Sequence, residues 1–545
     1  MAIASRATEL RARVAPDRAA RLALLLLQAG AVAAVLAAVP FPLFDLDRHA
    51  VPKELALHLA GGGAAALLVS RARRLSLSLA DALLAVFLLL CIVSALFATN
   101  HWLAVRSLGL TVSGVLVFWA ARGIRSAGLA RQLLFTLAAG VVLAAMTALL
   151  QAYGVESPLF SERRAPGGAF GNRNFMAHFV ALGLPVLLLA TLESRRRREA
   201  WLPAAGAIVL GAALVLSRSR AAWLGTIAAL AIVVVEGLWF GFLWRDVTSR
   251  RRVLLFALGV GVGGVLALVL PNTLEWRSDS PYLDSLKDVA NYREGSGKGR
   301  LVQYENTLRM AAAHPVLGVG PGNWAVAYPR YTTPGDPAFD ADDFIPTNPW
   351  PSSDWIASVA ERGTLATLAL AGAAAVLAIG AWRRWRMAPQ TTEGTESLTL
   401  ILVLATTVVV GSFDAVLLLP APTFFVWAGL GLLARPPKRP ILQLDLKGRR
   451  ARRLAAAVVT AGLVFSARSA SQLGSMVAYG DQGRVAAMER AAAIDPGNYR
   501  IRMLLGYVWR NRGRCDLARR HAEGARRLFP NHPAPKQLLA ACRRR

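Results

Sequence analysis

Charge is what this chain has least of. Charged residues make up 17% of its 545 residues, against about 25% in an ordinary soluble domain, while 55% are hydrophobic. With a mean hydropathy of +0.43, that balance excludes an ordinary water-soluble globular protein and fits a polytopic membrane protein. Acidic residues are scarcer still, 33 against 62 lysines and arginines, giving a net charge of +29. In a soluble protein such an excess points to nucleic acid. Here the basic residues fall in short bursts at the ends of apolar runs, at Arg71–Arg74, Arg195–Arg198, Arg250–Arg252, Arg383–Arg386 and Arg449–Arg453. That is the positive-inside pattern of membrane proteins, so nucleic acid is not an expected partner. Cysteine is nearly absent. Cys91, Cys515 and Cys542 show no C-x-x-C and no metal-ligand spacing, so neither a zinc site nor a disulfide framework is expected, and no metal or cofactor. No cleavable signal peptide is expected: residues 1–21 read as a basic, helix-prone leader, and the apolar run behind it is long enough to span.

A bilayer core takes roughly 20 apolar residues per helix. On that measure about 12–13 transmembrane helices are predicted, near Leu22–Phe44, Leu55–Val69, Leu79–Ala98, Val105–Ala120, Leu133–Tyr153, Phe175–Leu192 and Trp201–Leu216. The series continues with Ala221–Trp244, Val253–Pro271, Leu365–Trp382, Leu398–Leu419, Thr423–Leu433 and Leu454–Leu473. Leu55–Val69 is short and glycine-rich, and Thr423–Leu433 is shorter still. With the N-terminus in the cytoplasm, every basic burst falls inside, as do Arg122 and Arg125. The outside segments are then Gly154–Arg173, Ser217–Arg220, the long loop 272–364 and the tail. The expected organisation is a leader (1–21), a membrane domain (22–433), a basic cytoplasmic linker (434–453), a last span (454–473) and an outer helical domain (474–545).

The stretch "GKGRLVQYENTLRMAAAHPVLGVGPGNW", Gly297–Trp324, clusters glycines around Lys298 and again at Gly318, Gly320 and Gly322. It lies on the outer side, away from ATP, and lacks the G-x-x-x-x-G-K-[ST] spacing of a phosphate loop. "GVGPGN" reads instead as a tight turn that positions its neighbours.

The tail is helix-forming, alanine- and arginine-rich, and without a spanning run. Pro496 and Pro530 are 34 residues apart, and Ala491/Ala525 and Ile494/Leu528 repeat the same offset. Gly506 and Tyr507 sit near the "LG-x-x-Y" positions of a tetratricopeptide repeat, and a 34-residue helical period is that repeat's signature. It could be a docking surface or a cap that stabilises the last span, since a repeat fold defines no ligand.

Polar groups that stand out in so apolar a chain mark candidate sites. Three outer clusters do: "GGAFGNRNFMAHF" (Gly167–Phe179), "SRSRAAW" (Ser217–Trp223), and the long loop from Arg300 and Arg309 to "DADDFIPTNPWPSSDWIASVAERG" (Asp340–Gly363). Arginines at a membrane surface snorkel, pair or bind an anion. Those of "SRSR" are a basic burst on the side where the others are absent. A planar guanidinium fork suits phosphate oxygens.

Together, "GNRNFMAHF", "SRSRAAW", "GRLVQYENTLRMAAAHPVLGVGPGNW" and "SSDWIASVAERG", with "PK" at Pro52–Lys53, resemble the successive motifs of the O-antigen ligase / O-antigen polymerase family over roughly Leu22–Leu433. The resemblance implies an all-α, polytopic glycosyltransferase of GT-C type in the bacterial inner membrane. Such an enzyme takes a glycan from undecaprenyl pyrophosphate at the periplasmic face. The acceptor is lipid A–core (ligase), another glycan (polymerase) or a protein (oligosaccharyltransferase). It further implies that Arg218 or Arg220, with Arg300, holds the pyrophosphate, and that Asn174 and Glu361 belong to the substrate site. Family members carry a histidine base where this chain has Ser352. A serine hydroxyl is a poor base at pH 7, so Asp354 is the expected base, ahead of His314 and His178. The missing histidine also leaves open a non-catalytic envelope-assembly protein. A transporter is less favoured, because no pair of inverted halves is visible.

Overall fold

The computed structural model describes residues 17–40, 44, 46–160, 166–194, 197–240, 246–276, 278–287, 295–340, 349–435, 440–446, 448–480 and 484–543. The leader before residue 17, part of the Arg195–Arg198 burst, the "ADDFIPTN" stretch of the long loop and residues 436–439 of the basic linker lie outside them.

Each apolar run becomes a helix, because a backbone surrounded by hydrocarbon must satisfy its own hydrogen bonds. In chain order these are α1 (Arg18–Leu36), α2 (Asp47–Arg71), α3 (Leu79–Leu96), α4 (His101–Ser126), α5 (Ala130–Ala152), α6 (Arg173–Leu192), α7 (Arg197–Ser217), α8 (Arg220–Val235) and α9 (Val247–Val269). The long segment that follows holds α10 (Pro281–Lys287), α11 (Gly295–Ala313) and α12 (Trp324–Ala327). The bundle resumes with α13 (Asp354–Met387), α14 (Thr392–Phe413), α15 (Pro420–Leu433) and α16 (Arg449–Tyr479). Eleven of these helices are long and apolar enough to cross a membrane, and the chain is an all-α, multi-pass membrane protein. The other two expected spans are also helical. One is α2, which carries Asp47, Arg48, Lys53 and Glu54 in its first turns, and the other is α15, with only 14 residues.

Several helix ends differ from expectation, the first span for instance ending at Leu36 rather than Phe44, and two differ for local reasons. The run Leu398–Leu419 does not continue as helix: α14 stops at Phe413, and Asp414 turns extended (φ −163°) with its carboxylate accepting from the Ala415 amide. The run beginning at Leu365 is preceded by helix from Asp354, interrupted at Gly363 (φ 82°, ψ 167°). A side chain there would collide with the Val316 carbonyl, so both backbone and space demand glycine. A two-stranded antiparallel ribbon, β1 (Arg74–Leu77) with β2 (Leu442–Asp445), joins two basic connections, the second lying in the expected linker.

Connections alternate between two ends of the bundle. One end collects 72–78, 127–129, 388–391 and the ribbon, with most of the basic bursts. The opposite end collects 97–100, 153–172, 218–219, 270–353, 414–419 and the tail. Between them, Leu27, Leu57, Phe118, Leu137 and Phe424 are fully buried. Helices approach closely at small residues. Gly62 of α2 faces Gly462 of α16, and Gly431 of α15 leaves no room for a Cβ above the Phe118 carbonyl. Such contacts hold helices together where lipid removes the usual hydrophobic drive. Lys53 of the "PK" pair is buried, and its Nζ donates to the Val35 and Ala37 carbonyls at 2.9 and 2.6 Å, capping α1.

The tail forms α17 (Val485–Ile494), α18 (Tyr499–Asn511), α19 (Cys515–Leu528) and α20 (Pro533–Ala541), with Pro496 and Pro530 in equivalent inter-helix turns. The expectation of no disulfide is corrected here. Because α20 returns along α19, Cys515 and Cys542 meet with Cα atoms 5.4 Å apart and form a disulfide. The tail also docks on the bundle. Asn100 donates to the Leu528 carbonyl at 3.2 Å, Asn531 to the Val326 carbonyl at 2.8 Å, and Arg468 pairs with Asp495 at 3.0 Å.

Candidate functional site

The break between α7 and α8 is where the backbone is most constrained. Arg218 has φ 52°, the only positive φ outside glycine among the described residues. A non-glycine side chain there costs free energy and persists only if its surroundings hold it. They do: its guanidinium stacks on Trp276 at 4.5 Å, and its Nε donates to Ser285 Oγ at 2.9 Å. Arg173, at the first position of α6, stacks on the same indole at 5.7 Å and lies within electrostatic reach of Arg218 and Arg220. Two guanidiniums therefore stack on one tryptophan, with Arg220 in electrostatic reach of Arg173. Asn174 follows Arg173, its amide accepted by the N-cap Asn172 at 2.8 Å.

A second set of groups adjoins this cluster through His178, one helical turn beyond Asn174. His178 is fully buried and its Nε2 lies 3.2 Å from Ser219 Oγ, between the two arginines of "SRSR". It stands in the electrostatic field of both Arg300 and Asp414. Arg300, on α11, lies 3.9 Å from Asp414, with 23% and 12% of the two side chains exposed. One turn on, Tyr304 donates to the Ser352 and Ser412 carbonyls at 2.5 and 3.1 Å, while Gln303 accepts from the Ser352 amide at 2.8 Å. Four chain-distant segments thus converge: the start of α6, the α7–α8 break, α11, and the connection after α14. Ser352, where the family carries its histidine, sits against the α11 helix that bears Arg300.

Asp354 and Glu361 have partners that differ from a substrate's. The Asp354 carboxylate is buried and accepts from the Val416 and Leu417 amides at 2.9–3.1 Å, fastening the 414–419 connection to α13. Glu361 accepts from the Gly322 and Trp324 amides at 3.0 and 3.3 Å and pairs with Arg362 at 3.3 Å. It anchors the glycine turn, in which Gly318, Gly320 and Gly322 all have positive φ (66°, 100° and 69°). The turn is locked further where Ser94 donates to the Leu317 carbonyl at 2.6 Å. His314 lies 3.3 Å from the Tyr331 hydroxyl and is exposed, on the flank of the loop. Within that loop Tyr328 donates to Asp336 at 2.7 Å, and burial, then the adjacent carboxylate, holds its phenol above the ordinary range. Among the described residues no group of His, Cys, Asp and Glu has the geometry to hold a metal ion.

Sequence reasoning missed Asp414, Trp276, Tyr304 and Ser285. Asp414 was hidden because the apolar count carried a span through it. An acid closing an outer apolar run, six residues before Pro420, was the available signal. Trp276, Tyr304 and Ser285 carry none, since only the fold brings them to the arginines.

With that geometry in hand, the comparisons are specific. Residues 205–342 match the model of the O-antigen ligase family. The matched region includes Arg218, Arg220 and Arg300 and ends before Ser352, Asp354 and Glu361. No curated protein matches the chain.

Proposed function

Proceeding from the match to the O-antigen ligase family, which supports glycan transfer of the ligase or polymerase type, we propose that this protein transfers a glycan from undecaprenyl pyrophosphate to a sugar hydroxyl of lipid A–core at the periplasmic face of the inner membrane. The observation that carries the reading is the stacking of Arg173 and Arg218 on Trp276, with Arg220 in electrostatic reach of Arg173, beside the His178–Arg300 group at one end of an apolar bundle. A pyrophosphate presents several charged oxygens and needs more than one cation close by. In the transfer, the acceptor oxygen bonds to the anomeric carbon as the bond to pyrophosphate breaks. Carrier pyrophosphate leaves with its charge held by Arg218, Arg220 and Arg300. The acceptor proton passes to a carboxylate. We assign that role to Asp414 rather than Asp354, because the Asp354 carboxylate is occupied by the Val416 and Leu417 amides, while among the described residues Asp414 accepts only the Ala415 amide and lies 3.9 Å from Arg300. Glu361 positions the glycine turn. Asn174 lines the start of α6.

The periplasmic placement has two supports. Basic residues concentrate at the opposite end, as the positive-inside rule requires, and the tail carries a disulfide, which persists in an oxidising compartment. Purified protein in liposomes, given lipid-linked glycan and lipid A–core, tests the reading. Wild type is expected to form product. Asp414→Asn should abolish transfer and Asp354→Asn should keep it wherever the protein still folds. Absence of product from wild type with any lipid-linked donor would sink the transferase reading.

A further inference from the structure

A cavity of about 230 Å³ lies between the bundle and the docked tail, and the donor site does not use it. That volume holds roughly seven or eight waters, about the bulk of one sugar ring. Its walls come from both parts of the chain: Asp47, Ala50 and Glu54 of α2 and Arg106 of α4 on one side, and Gly497 to Arg500 of the tail on the other. The turn that carries Pro496 is therefore part of a wall. Gly497 is seated so closely on Trp102 that a Cβ would collide with the indole, which fixes the turn in place.

The charges of this cavity differ in kind from those of the arginine cluster. Arg106 is gripped by Glu54 (3.0 and 2.7 Å) and by Asp47 (2.8 Å), and Arg468 by Asp495. Asp47 also lies within electrostatic reach of Arg500. Cations and anions alternate around the wall, so it has no net attraction for a pyrophosphate. Between them stand the flat faces of Trp350, Tyr499 and Phe529 and the Oε1 of Gln472, a 7%-exposed residue whose oxygen has no hydrogen-bond partner. Matched charged groups, an unpartnered amide oxygen and aromatic faces suit a neutral ring bearing hydroxyls on its edges and C–H groups on its faces. The cavity also adjoins the reacting site. Trp350 is two residues from Ser352, whose carbonyl is held by Tyr304 of the Arg300 helix.

We infer that this tail-walled cavity is a binding site for a neutral sugar, and that the tail serves the enzyme by completing it. That the bound ring belongs to the acceptor rests on the transferase reading; that a neutral sugar binds here does not. The test uses the full-length protein in nanodiscs and saturation-transfer NMR with free glucose, galactose and N-acetylglucosamine as probes. Ring-proton signals are expected from at least one sugar. They should vanish in Ala50→Phe, which fills the cavity from α2, and Arg500→Ala, on the tail side, should weaken binding at least tenfold. Arg218→Ala and added inorganic pyrophosphate should leave the signals unchanged. If Ala50→Phe does not fold, Arg500→Ala carries the comparison alone. No signal from any of the three sugars overturns the proposal, as do signals that survive the cavity variants or are displaced by pyrophosphate. In an active enzyme, Ala50→Phe should raise the acceptor KM tenfold or more with the donor KM unmoved. Sugar binding here by a wild type that transfers nothing would sink the transferase reading while leaving this site standing.

Discussion

The basic end of the bundle and the arginine cluster at the α7–α8 break use arginine in opposite ways. At the basic end several guanidiniums are clamps. Arg125 joins Glu396 at 2.5 Å and the Leu432 carbonyl at 2.7 Å, Arg122 joins Asp81 at 2.8 Å, and Arg252 donates to the Leu192 and Ser194 carbonyls at 2.6 and 2.7 Å. At the other end Arg173 and Arg218 share one indole, Arg220 lies in electrostatic reach of Arg173, and Arg300 lies 3.9 Å from Asp414. A count of basic residues cannot tell the two apart, but their partners can. Arginine held by acids and carbonyls in the core fixes the bundle, while arginines drawn together around one ring make a positive patch suited to an anion.

The sharpest way to break that comparison is to remove one arginine from each end. Arg300→Ala and Arg218→Gly are expected to lower kcat about 10²–10³-fold, the usual effect of deleting a donor to developing charge, with little change in melting temperature. Glycine at 218 keeps the positive φ without strain, so only the guanidinium is lost. Arg125→Ala should do the reverse. It leaves the buried Glu396 with Arg435 at 3.0 Å as its remaining partner, costing about 3 kcal/mol of stability while the surviving fold transfers normally. Thermal unfolding and initial rates measured on the same preparations decide it. Equal loss of activity at both ends would remove the distinction.

The fold was legible because its signals are local. Apolar length gave thirteen helices, and the ends of those runs gave their alternation. What failed were places where one residue overrides its run, as at Asp414, which ends α14 inside an unbroken apolar stretch, and Gly363, which breaks α13. The candidate site was legible only in part. Arg218 and Arg300 stand out as polar groups in apolar or glycine-rich surroundings. Asp354 stood out as strongly, yet its carboxylate faces the Val416 and Leu417 amides, a partnership 62 and 63 residues away along the chain. The disulfide was missed for a related reason. Cysteines 27 residues apart show no motif, and only the return of α20 along α19 brings them together.

That disulfide supplies the next effect in size. Replacing Cys515 and Cys542 by serine removes a cross-link between residues 27 apart in sequence, worth about 3.5 kcal/mol of tail stability in the chain-entropy account. Limited proteolysis in rising urea should cut the tail of the double variant well before the bundle, and reductant should make wild type behave the same way. A tail equally resistant with and without the cross-link would show that docking on Asn100 and Val326 suffices alone.

The smallest effect sharpens the comparison from the basic end, where positive charge does not protect every acid. Glu193, at the end of α6, is half-buried. Burial, and then the neighbouring Glu396, push its carboxyl up to about 7, despite Arg125 and Arg131 nearby. A carboxyl with a raised native pKa binds its proton more tightly folded than unfolded. Its contribution is therefore present below the ordinary carboxylate range and is lost as pH rises through about 7. Glu193→Gln, which keeps the uncharged shape, should therefore stabilise the protein at pH 8 by about 1 kcal/mol, a figure reduced for its partial exposure. At pH 5 the variant and wild type should melt together. The difference in melting temperature between them, followed from pH 5 to pH 8, should open across that window. A difference that is constant with pH would mean that Glu193 keeps its charge throughout, and that the arginines of this end hold one more acid than their contacts suggest.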